Sequence, residues 1–203
     1  MSSDDMLYSP SAARNKDMIA EAFARLCPEA ASVLEVGSGT GEHAEAVLGL
    51  RPQLAWQASD PDDAARRSTA ARMALLGQLA PLALDTRHDH WWTEELPQVD
   101  TIVAINVIHI TSREGYENLF RGAAALLPAD GRLFLYGPMK RRGVTEESNL
   151  QFDASLKSRD PSWGVRDLDD ELQPLGARFG LAFAHAEQVP ANNHVVLFTQ
   201  AGR

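Results

Sequence analysis

The chain has 203 residues, 44% hydrophobic and 23% charged, a balance typical of a globular domain with a sizeable core. The net charge of −9 argues against a nucleic-acid partner, because such proteins usually present a basic surface. No apolar run reaches the ~18 residues of a membrane helix, and one cysteine cannot form an internal disulfide. We therefore expect one domain over residues 1–203 that is cytoplasmic, binds no membrane and acts on a small molecule. Its oligomeric state is not predictable from the sequence.

The N-terminal region predicts a mobile arm followed by a helix. Residues 1–10 form the arm. Ser11 is a candidate N-cap for a helix over 12–26, which has apolar residues at helical spacing. Arg14 and Asn15 lie in its first turns.

A glycine-rich turn joins the first predicted strand to the second predicted helix. Residues 32–36 predict a buried strand, and residues 42–50 predict the helix. Between them, Gly37, Gly39 and Gly41 allow a sharp turn and let a flat ligand approach the main chain. The free N–H groups of the helix would face that ligand.

Acidic residues flank this turn. Glu35 lies near the end of the first strand, where it is expected to point toward the bound ligand, and Asp60 ends a second predicted strand over 54–59. A carboxylate at the tip of the second strand can accept hydrogen bonds from both hydroxyls of a ribose. Glu42 stands where a dinucleotide fingerprint has its third glycine, and its charge disfavours a pyrophosphate and hence an NAD site.

The turn and the two acids resemble the class I S-adenosylmethionine-dependent methyltransferases. The resemblance implies that the turn, including Ser38, binds the amino acid end of S-adenosylmethionine and that Asp60 binds its ribose. This cofactor carries no phosphate, so Glu42 is compatible with it. Arg14 and Asn15 are candidates to close over the cofactor carboxylate, for which arginine offers a bidentate fork. The alternative is that both are solvated residues of a helix.

The next predicted elements end at two more candidate cofactor contacts. A helix over 61–76 leads to a short strand over 79–84, followed by Asp85. In the resembling family, this position approaches the adenine amino group. The apolar run 99–107 predicts a strand covered on both faces, with Asn106 at its carboxyl end. Ligands of open parallel sheets bind beyond that end.

The rest of the chain predicts further alternation and then a hairpin. The elements are helices over 113–127 and 167–178, the second interrupted by Pro174, and strands over 132–136, 181–189 and 194–199. Gly137-Pro138 is expected to stop the strand before it, and residues 190–193 are expected to form the hairpin turn. We predict an α/β, Rossmann-like fold with a seven-stranded, mostly parallel sheet, helices on both faces and an antiparallel last strand.

The long connection over 139–165 is expected to form a substrate lid. It contains a predicted helix over 146–158. Phe152 and Trp163 are candidates to line the substrate pocket, or else to anchor the loop. The basic cluster at 140–142 is expected to be solvated, or else to attract an anionic substrate.

Methyl transfer needs the nucleophile and the methyl group in line, and sometimes the removal of one proton. His109 is the first candidate base, because its unperturbed pKa of about 6.5 suits that task. Alternatively it packs under the adenine or hydrogen-bonds locally. Tyr136 is a candidate to position or deprotonate the substrate, or it only packs. Asn192 and Asn193 are candidates to fix a substrate by hydrogen bonds, or they serve only the hairpin turn.

A narrower resemblance, to the methyltransferase-like 26 family, covers residues 9–198. The matching segments are 9–16, the glycine turn, 106–110, 133–138, 147–156, 159–167 and 190–193. Gly37-Ser38 stands where many relatives carry Ala-Ser. The resemblance implies the class I methyltransferase fold but no substrate, since that family was long labelled a domain of unknown function.

These observations predict methyl transfer from S-adenosylmethionine to an oxygen, nitrogen or sulfur atom of a small molecule. The alternative is a protein that binds the cofactor without methylating, as a regulatory module or a cofactor-dependent cyclase. His88 and His90 are spaced like metal ligands, but no third ligand is evident and we expect no metal site.

Overall fold

Residues 6–93 and 96–201, which the computed structural model describes, form six α-helices and seven strands. The helices are α1 (Pro10–Leu26), α2 (Glu42–Leu50), α3 (Asp63–Leu75), α4 (Arg113–Leu126), α5 (Glu147–Arg159) and α6 (Gln173–Phe179). The strands are β1 (Ser32–Val36), β2 (Ala55–Ser59), β3 (Thr101–Ile105), β4 (Arg132–Lys140), β5 (Arg166–Asp167), β6 (Leu181–Val189) and β7 (Asn193–Gln200). No helix within these residues is long and apolar enough to cross a membrane.

The strands form one mixed sheet with the order β2-β1-β3-β4-β7-β6, and β5 pairs with β4. β1 and β2 are parallel, as are β4 and β5, whereas β7 runs antiparallel to both of its neighbours. The predicted fold class is therefore confirmed.

Contacts divide the chain into two compact units. Unit 1 comprises the described part of Met1–Asp85 together with Pro97–Val103, and unit 2 comprises the described parts of Thr86–Leu96 and of the chain from Ala104 onward. The chain therefore passes from one unit to the other more than once.

The core of unit 1 is built around β1, whose residues from Val33 onward are buried. Buried parallel strands favour such continuous apolar runs. The rings of Phe23 in α1 and Trp56 in β2 meet edge to face, with centroids 5.9 Å apart. Asp100 anchors the start of β1, because one of its carboxylate oxygens accepts the N–H groups of Ala31 and Ser32 at 2.9 and 3.0 Å.

The core of unit 2 lies along β4, which is buried from Leu133 to Met139. Phe120 of α4 and Phe198 of β7 pack edge to face, with centroids 5.1 Å apart. Trp91 fills the space beside α4, where a Cβ on Gly122 would lie 2.4 Å from its ring. The Trp91 indole N–H donates to the carbonyl of Asn118 at 2.9 Å.

Two predictions for unit 1 are wrong. α1 begins at Pro10 and its N-cap is Ser9, whose hydroxyl accepts from Ala12, and not Ser11. Proline is favoured in the first turn of a helix, so the residue before it becomes the cap. The strand predicted over 79–84 does not form, because only Leu82 bridges to β2 and the adjacent Pro81 has no N–H to continue a ladder.

Two predictions for unit 2 are also wrong. β4 continues through Gly137-Pro138, which pair with β7, and reaches Lys140 where β5 is added. The strand predicted over 99–107 ends at Ile105, because Asn106 turns left-handed with φ 61° into a 3₁₀ turn over Val107–His109. The predicted break near Pro174 is confirmed: a π-helical turn over Leu168–Leu172 precedes α6.

Candidate functional site

The glycine turn of unit 1 has a left-handed backbone at Gly37, Gly39 and Gly41, with φ of 72°, 57° and 81°. Glycine adopts such angles without a steric penalty. A Cβ on Gly41 would lie 3.0 Å from the Cα of Thr69, so this part of the turn packs directly against α3. Among the described residues, a Cβ on Gly39 would have no neighbouring atom within 4 Å. The turn is thus packed at Gly41 and open to close approach at Gly39.

Side chains of α3 hold the carbonyl groups of this turn. The Thr69 hydroxyl donates to the carbonyl of Gly39 at 3.1 Å, and the Ser68 hydroxyl donates to that of Thr40 at 2.9 Å. Arg72 Nε donates to the same Thr40 carbonyl at 3.0 Å. Nothing in the sequence singled out these α3 residues, since their partners lie 28 to 32 positions away and no local pattern marks them.

The predicted ribose ligand Asp60 lies against the turn. Its carboxylate accepts the N–H of Gly39 at 2.9 Å and the N–H of Asp62 at 2.8 Å. The carboxylate is buried, and because it has about four acceptor positions, two remain for a ligand. Ser38 joins the turn to the tip of β2: its N–H donates to the carbonyl of Ser59 at 2.8 Å, and its hydroxyl accepts from Ser59 at 3.1 Å.

Glu35 is a buried acid behind the turn, with 1% of its surface exposed. The indole N–H of Trp56 donates to its carboxylate at 3.2 Å. Burial raises the pKa of Glu35 to about 7, with a further contribution from the charge of Asp60, while hydrogen bonds with Ser38 and Trp56 act in the opposite direction. Glu35 therefore changes charge near neutral pH, and its contact with a ligand stays a prediction.

The start of α1 is fixed beside the turn by the first residues of α2. The buried carboxylate of Glu42 accepts the N–H of Ser9 and the hydroxyl of Thr40, both at 2.8 Å. Nε2 of His43 lies 3.0 Å from Oδ1 of Asn15. Burial lowers the pKa of His43 to about 4, so the ring is neutral at pH 7 and donates to Asn15. Asn15 is thus held against α2.

The other predicted cofactor contacts of unit 1 are more exposed. Arg14 lies on the exposed side of α1 and forms no ion pair with any residue in the described part of the chain. Asp85 is half-buried in the loop that follows the bridge at Leu82. Their roles at the cofactor carboxylate and at the adenine stay predictions.

In unit 2, His109 is fully buried. Its Nδ1 lies 3.3 Å from the carbonyl of Gly164, whose N–H donates to the carbonyl of His109 at 3.0 Å. Nδ1 therefore carries the proton, and Nε2 is buried without a hydrogen-bond partner among the described residues. Burial lowers the pKa of His109 to about 3, which makes it a weak base. This geometry fits local hydrogen bonding better than a base role, which stays a prediction.

Asn106 and Tyr136 are linked through the backbone. The N–H of Asn106 donates to the carbonyl of Tyr136 at 2.8 Å, and the carbonyl of Asn106 accepts from the N–H of His109 at 3.2 Å. A left-handed conformation at a residue other than glycine is uncommon, and asparagine is among the residues that tolerate it. Tyr136 is buried within β4 and shows 2% of its surface. The cofactor role of Asn106 and the catalytic role of Tyr136 stay predictions.

The hairpin asparagines bind α5 and the turn. Asn192 donates from its side chain to the hydroxyl of Ser148, and its carbonyl accepts the side-chain N–H of Asn149, both at 3.0 Å. Asn193 donates to the carbonyl of Ala191 at 3.2 Å. Ala191 and Asn192 both have positive φ, as in the tight turns that favour asparagine. These contacts fit the hairpin interpretation, while a substrate contact stays a prediction.

The segment after β4 is held by ion pairs. Lys140 lies 3.6 Å from the carboxylate of Asp153 in α5, and Arg141 makes a bidentate contact with Asp169 at 2.7 and 2.9 Å. Acidic residues distant in the sequence thus face these two residues, and Arg141 keeps 48% of its side chain exposed, so both a solvated cluster and one that attracts an anionic substrate stay predictions. Phe152 of α5 is exposed, and the ring of Trp163 lies 5.4 Å from the guanidinium of Arg159.

Arg166 is a further residue that sequence reasoning missed. Its guanidinium donates to the carbonyls of Ile108 at 2.9 Å and of Thr111 and Ser162 at 2.8 Å. It also lies 4.7 Å above the ring of Tyr116. Arg166 thus joins the chain after the 3₁₀ turn to the loop that follows α5. Within residues 6–93 and 96–201, no three histidine, cysteine or acidic side chains are grouped so that they could hold a metal ion.

The fold is that of the class I methyltransferases, as similar solved structures show. Mitomycin 7-O-methyltransferase MmcR matches with a TM-score of 0.79 and 19% identity over 94% of this chain and 54% of that chain. An O-methyltransferase family 2 protein from Planctomyces limnophilus, in complex with apigenin, matches with a TM-score of 0.75 and 22% identity over 94% and 60%. Human N-acetylserotonin methyltransferase, in complex with SAM, matches with a TM-score of 0.76 and 15% identity over 95% and 53%.

The chain belongs to the family described as "Protein of unknown function (DUF938)", which it matches over residues 6–200. The narrower resemblance to the methyltransferase-like 26 family stays a prediction. This chain spans only 53% to 60% of the length of the three solved structures named above.

Proposed function

We propose that this protein binds S-adenosylmethionine at the glycine turn of unit 1 and transfers its methyl group to a small-molecule oxygen, nitrogen or sulfur atom. The observation that carries the proposal is the hydrogen bond from the N–H of Gly39 to the carboxylate of Asp60, 2.9 Å long. It puts a glycine turn open to close approach beside a carboxylate with unused acceptor positions. The methyltransferase fold and the SAM complex of the human neighbour add support.

In this proposal the residues of unit 1 hold the cofactor by complementary polar groups. The turn from Gly37 to Gly39, including Ser38, binds its amino acid end, and Asp60 accepts the ribose hydroxyls. Arg14, an exposed arginine of α1 that forms no ion pair with residues 6–93 or 96–201, is the candidate for the cofactor carboxylate. In S-adenosylmethionine the methyl group is bonded to a positively charged sulfur. When the methyl group is transferred, this sulfur is the leaving group and needs no acid.

Glu42 supports this cofactor over a dinucleotide. Glu42 lies at the start of α2 and is 2% exposed, and its carboxylate accepts the N–H of Ser9. A pyrophosphate at that helix start would meet this buried negative charge at short range, which is unfavourable. S-adenosylmethionine brings no phosphate to this position.

His109 and Tyr136 are the proposed catalytic residues of unit 2, and each would have to gain access to the substrate. For His109 the reacting atom would be Nε2, since Nδ1 is bound to Gly164. His109→Ala is expected to keep cofactor binding and lower turnover, and unchanged turnover would remove the base from the mechanism.

The proposal is tested by calorimetric titration with S-adenosylmethionine, S-adenosylhomocysteine and NAD. We expect the parent to bind the first two ligands and Asp60→Ala to bind them at least about a hundredfold more weakly, because two charge-assisted hydrogen bonds are lost. Asp62→Ala is the matched control, because Asp62 caps α3 through Ala65 and faces no proposed ligand contact. No binding of either cofactor form to the folded parent would refute the proposal.

A second assay separates methyl transfer from binding alone. The protein is incubated with S-adenosylmethionine and a panel of phenols, amines and thiols, and S-adenosylhomocysteine is measured by mass spectrometry. Accumulation that depends on one acceptor class identifies the nucleophile. Tight cofactor binding with no S-adenosylhomocysteine from any class would favour a non-methylating role.

A further inference from the structure

Two side chains of α3 bind both the glycine turn and the segment that precedes α1. The hydroxyl of Ser68 accepts the N–H of Leu7 and donates to the carbonyl of Thr40, both at 2.9 Å. Arg72 donates to the carbonyl of Leu7 at 2.9 Å and to that of Thr40 at 3.0 Å. Residues four apart share one face of a helix, so both side chains meet the same two backbone segments. We call Ser68 and Arg72 the α3 clamp.

The arginine of this clamp has little freedom to follow movements of its partners. Its third contact joins Nη1 to the carboxylate of Glu45 in α2 at 2.6 Å, and its side chain is 12% exposed. The guanidinium is planar and its donors have a fixed fork geometry. Leu7, Thr40 and Glu45 therefore keep all three hydrogen bonds only when their relative positions are maintained.

The segment before α1 is fixed at two points. Leu7 is bound through both its N–H and its carbonyl by the α3 clamp, and the N–H of Ser9 is bound by Glu42. Tyr8, between them, is 70% exposed. The segment Leu7–Ser9 is thus attached to the residues on either side of Gly41, which itself packs against Arg72.

We propose that Ser68 and Arg72 are positioning residues for the cofactor, and that they couple docking of the segment Leu7–Ser9 to cofactor binding. They touch no proposed ligand atom and act by fixing the carbonyl of Thr40. The proposal rests on the proposed function, because it assigns the clamp to the same cofactor site. Coupling of this kind is reciprocal: docking strengthens cofactor binding, and the cofactor strengthens docking to the same extent.

The first test compares two arginines of unit 1 that make the same kind of contact. Arg51 donates to the carbonyls of Cys27, Pro28 and Ala30 at 3.4, 3.1 and 2.9 Å, away from the glycine turn. We expect Arg72→Met to lower the affinity for S-adenosylhomocysteine by about tenfold or more, and Arg51→Met to leave it within about twofold of the parent. Calorimetry gives the affinities, and urea unfolding shows that both variants are folded.

A milder variant keeps the test decisive if Arg72→Met does not fold. Ser68→Ala removes one hydroxyl, and we expect it to weaken binding by about threefold because Arg72 still holds both carbonyls. Arg72→Lys is expected to recover part of the affinity, since an ammonium reaches one carbonyl but not three partners. If the folded variants among Arg72→Met, Arg72→Lys and Ser68→Ala bind the ligand like Arg51→Met, the positioning role is wrong.

The second test reads the coupling from the other direction by hydrogen exchange at the amides of Leu7 and Ser9. In the parent we expect S-adenosylhomocysteine to slow exchange at both amides by about the same factor by which Arg72→Met weakens binding. In Arg72→Met this protection is expected to disappear. Protection that is equal in parent and variant would overturn the coupling while leaving the proposed function intact. A parent that binds neither cofactor form would overturn both proposals.

Discussion

Alanine substitutions at Gly41 and Gly39 of the glycine turn are expected to differ in their effects. The first should mainly lower stability, and the second should mainly lower the affinity for the ligand. At Gly41 the left-handed backbone costs an alanine roughly 1–2 kcal/mol. The new Cβ would also lie 3.0 Å from Thr69 and 3.2 Å from Arg72, and such overpacking adds roughly 1–3 kcal/mol. At Gly39 only the backbone cost applies, because no atom of residues 6–93 or 96–201 lies within 4 Å of the new Cβ. We expect losses of about 2–5 kcal/mol for Gly41→Ala and about 1–2 kcal/mol for Gly39→Ala.

Gly39→Ala, the variant with the smaller loss of stability, should lose much of its affinity for the ligand. The methyl group of Gly39→Ala stands where the main chain is open to a ligand, so we expect at least about a tenfold loss of affinity for S-adenosylhomocysteine despite the small loss of stability. Gly49→Ala is the control: Gly49 lies inside α2 with nothing near its Cβ, and alanine should stabilise the helix by about 0.5–1 kcal/mol without affecting binding.

The measurements are urea unfolding and calorimetric titration of the three variants. Equal losses of stability at Gly39 and Gly41 would refute the assignment of Gly41 as the packed position. A Gly39→Ala variant that binds S-adenosylhomocysteine like the parent would refute the approach of the ligand at Gly39.

Further predictions concern charge, packing and the half-buried arginine Arg166. Because the pKa of Glu35 is raised to about 7 in the folded state, its stabilising contribution is complete below its ordinary pKa and is lost as pH rises through 7. Over that window the unfolding free energy of the parent should fall by a few kcal/mol relative to that of Glu35→Gln, since the opposing contributions of His43 and His109 are common to both proteins; equal pH dependence of parent and variant would contradict the assignment. A Cβ on Gly137 would lie 2.3 Å from Nε2 of His109. Gly137→Ala should therefore destabilise the parent strongly and a protein that already carries His109→Ala much less. Additive losses of stability in thermal unfolding would exclude this contact. Arg166→Met should lower the free energy of unfolding by about 3 kcal/mol or more, because three carbonyls lose their donor. Arg141→Met, on the surface, should lower it by about 1 kcal/mol or less. Similar losses in urea unfolding would show that the exposure of the arginine does not decide the effect.

Elements bounded by strong local signals were predicted with their full extents. α2 runs from Glu42 to Leu50 and β6 from Leu181 to Val189, as the sequence analysis expected. A glycine stands before α2 and a proline follows β6, so the chain itself marks these ends. The N-cap of α1 was predicted wrongly at Ser11, although Pro10 marks the first turn of the helix and places the cap at Ser9.

Elements whose ends depend on distant partners were predicted poorly. Gly137-Pro138 is a strong local stop signal, yet β4 continues because His194 and Asn193 of β7 pair with it. Residues 79–84 are apolar enough for a strand, but only Leu82 reaches β2. In each case the length of the strand depends on how many of its residues pair with a neighbouring strand. That number is set by the whole sheet and not by the local sequence.

In the candidate site, too, the residues marked by short-range patterns could be predicted, and those that depend on distant partners could not. The turn from Gly37 to Gly41 and its neighbour Asp60 could be predicted, because glycine spacing and an acid after the next strand are short-range patterns. Arg72 could not, since its partners Thr40 and Leu7 lie 32 and 65 residues away. A serine or arginine on a helix has no sequence feature that announces such a contact.

The route of the chain between the units has a consequence for biosynthesis. The glycine turn and α3 emerge from the ribosome early, but β1 receives its anchor only when Asp100 has been translated, after the excursion over Thr86–Leu96. The nascent polypeptide therefore cannot complete unit 1 from its first 85 residues. A fragment that stops at Asp85 would carry the whole glycine turn and still leave the N–H groups at the head of β1 without their acceptor.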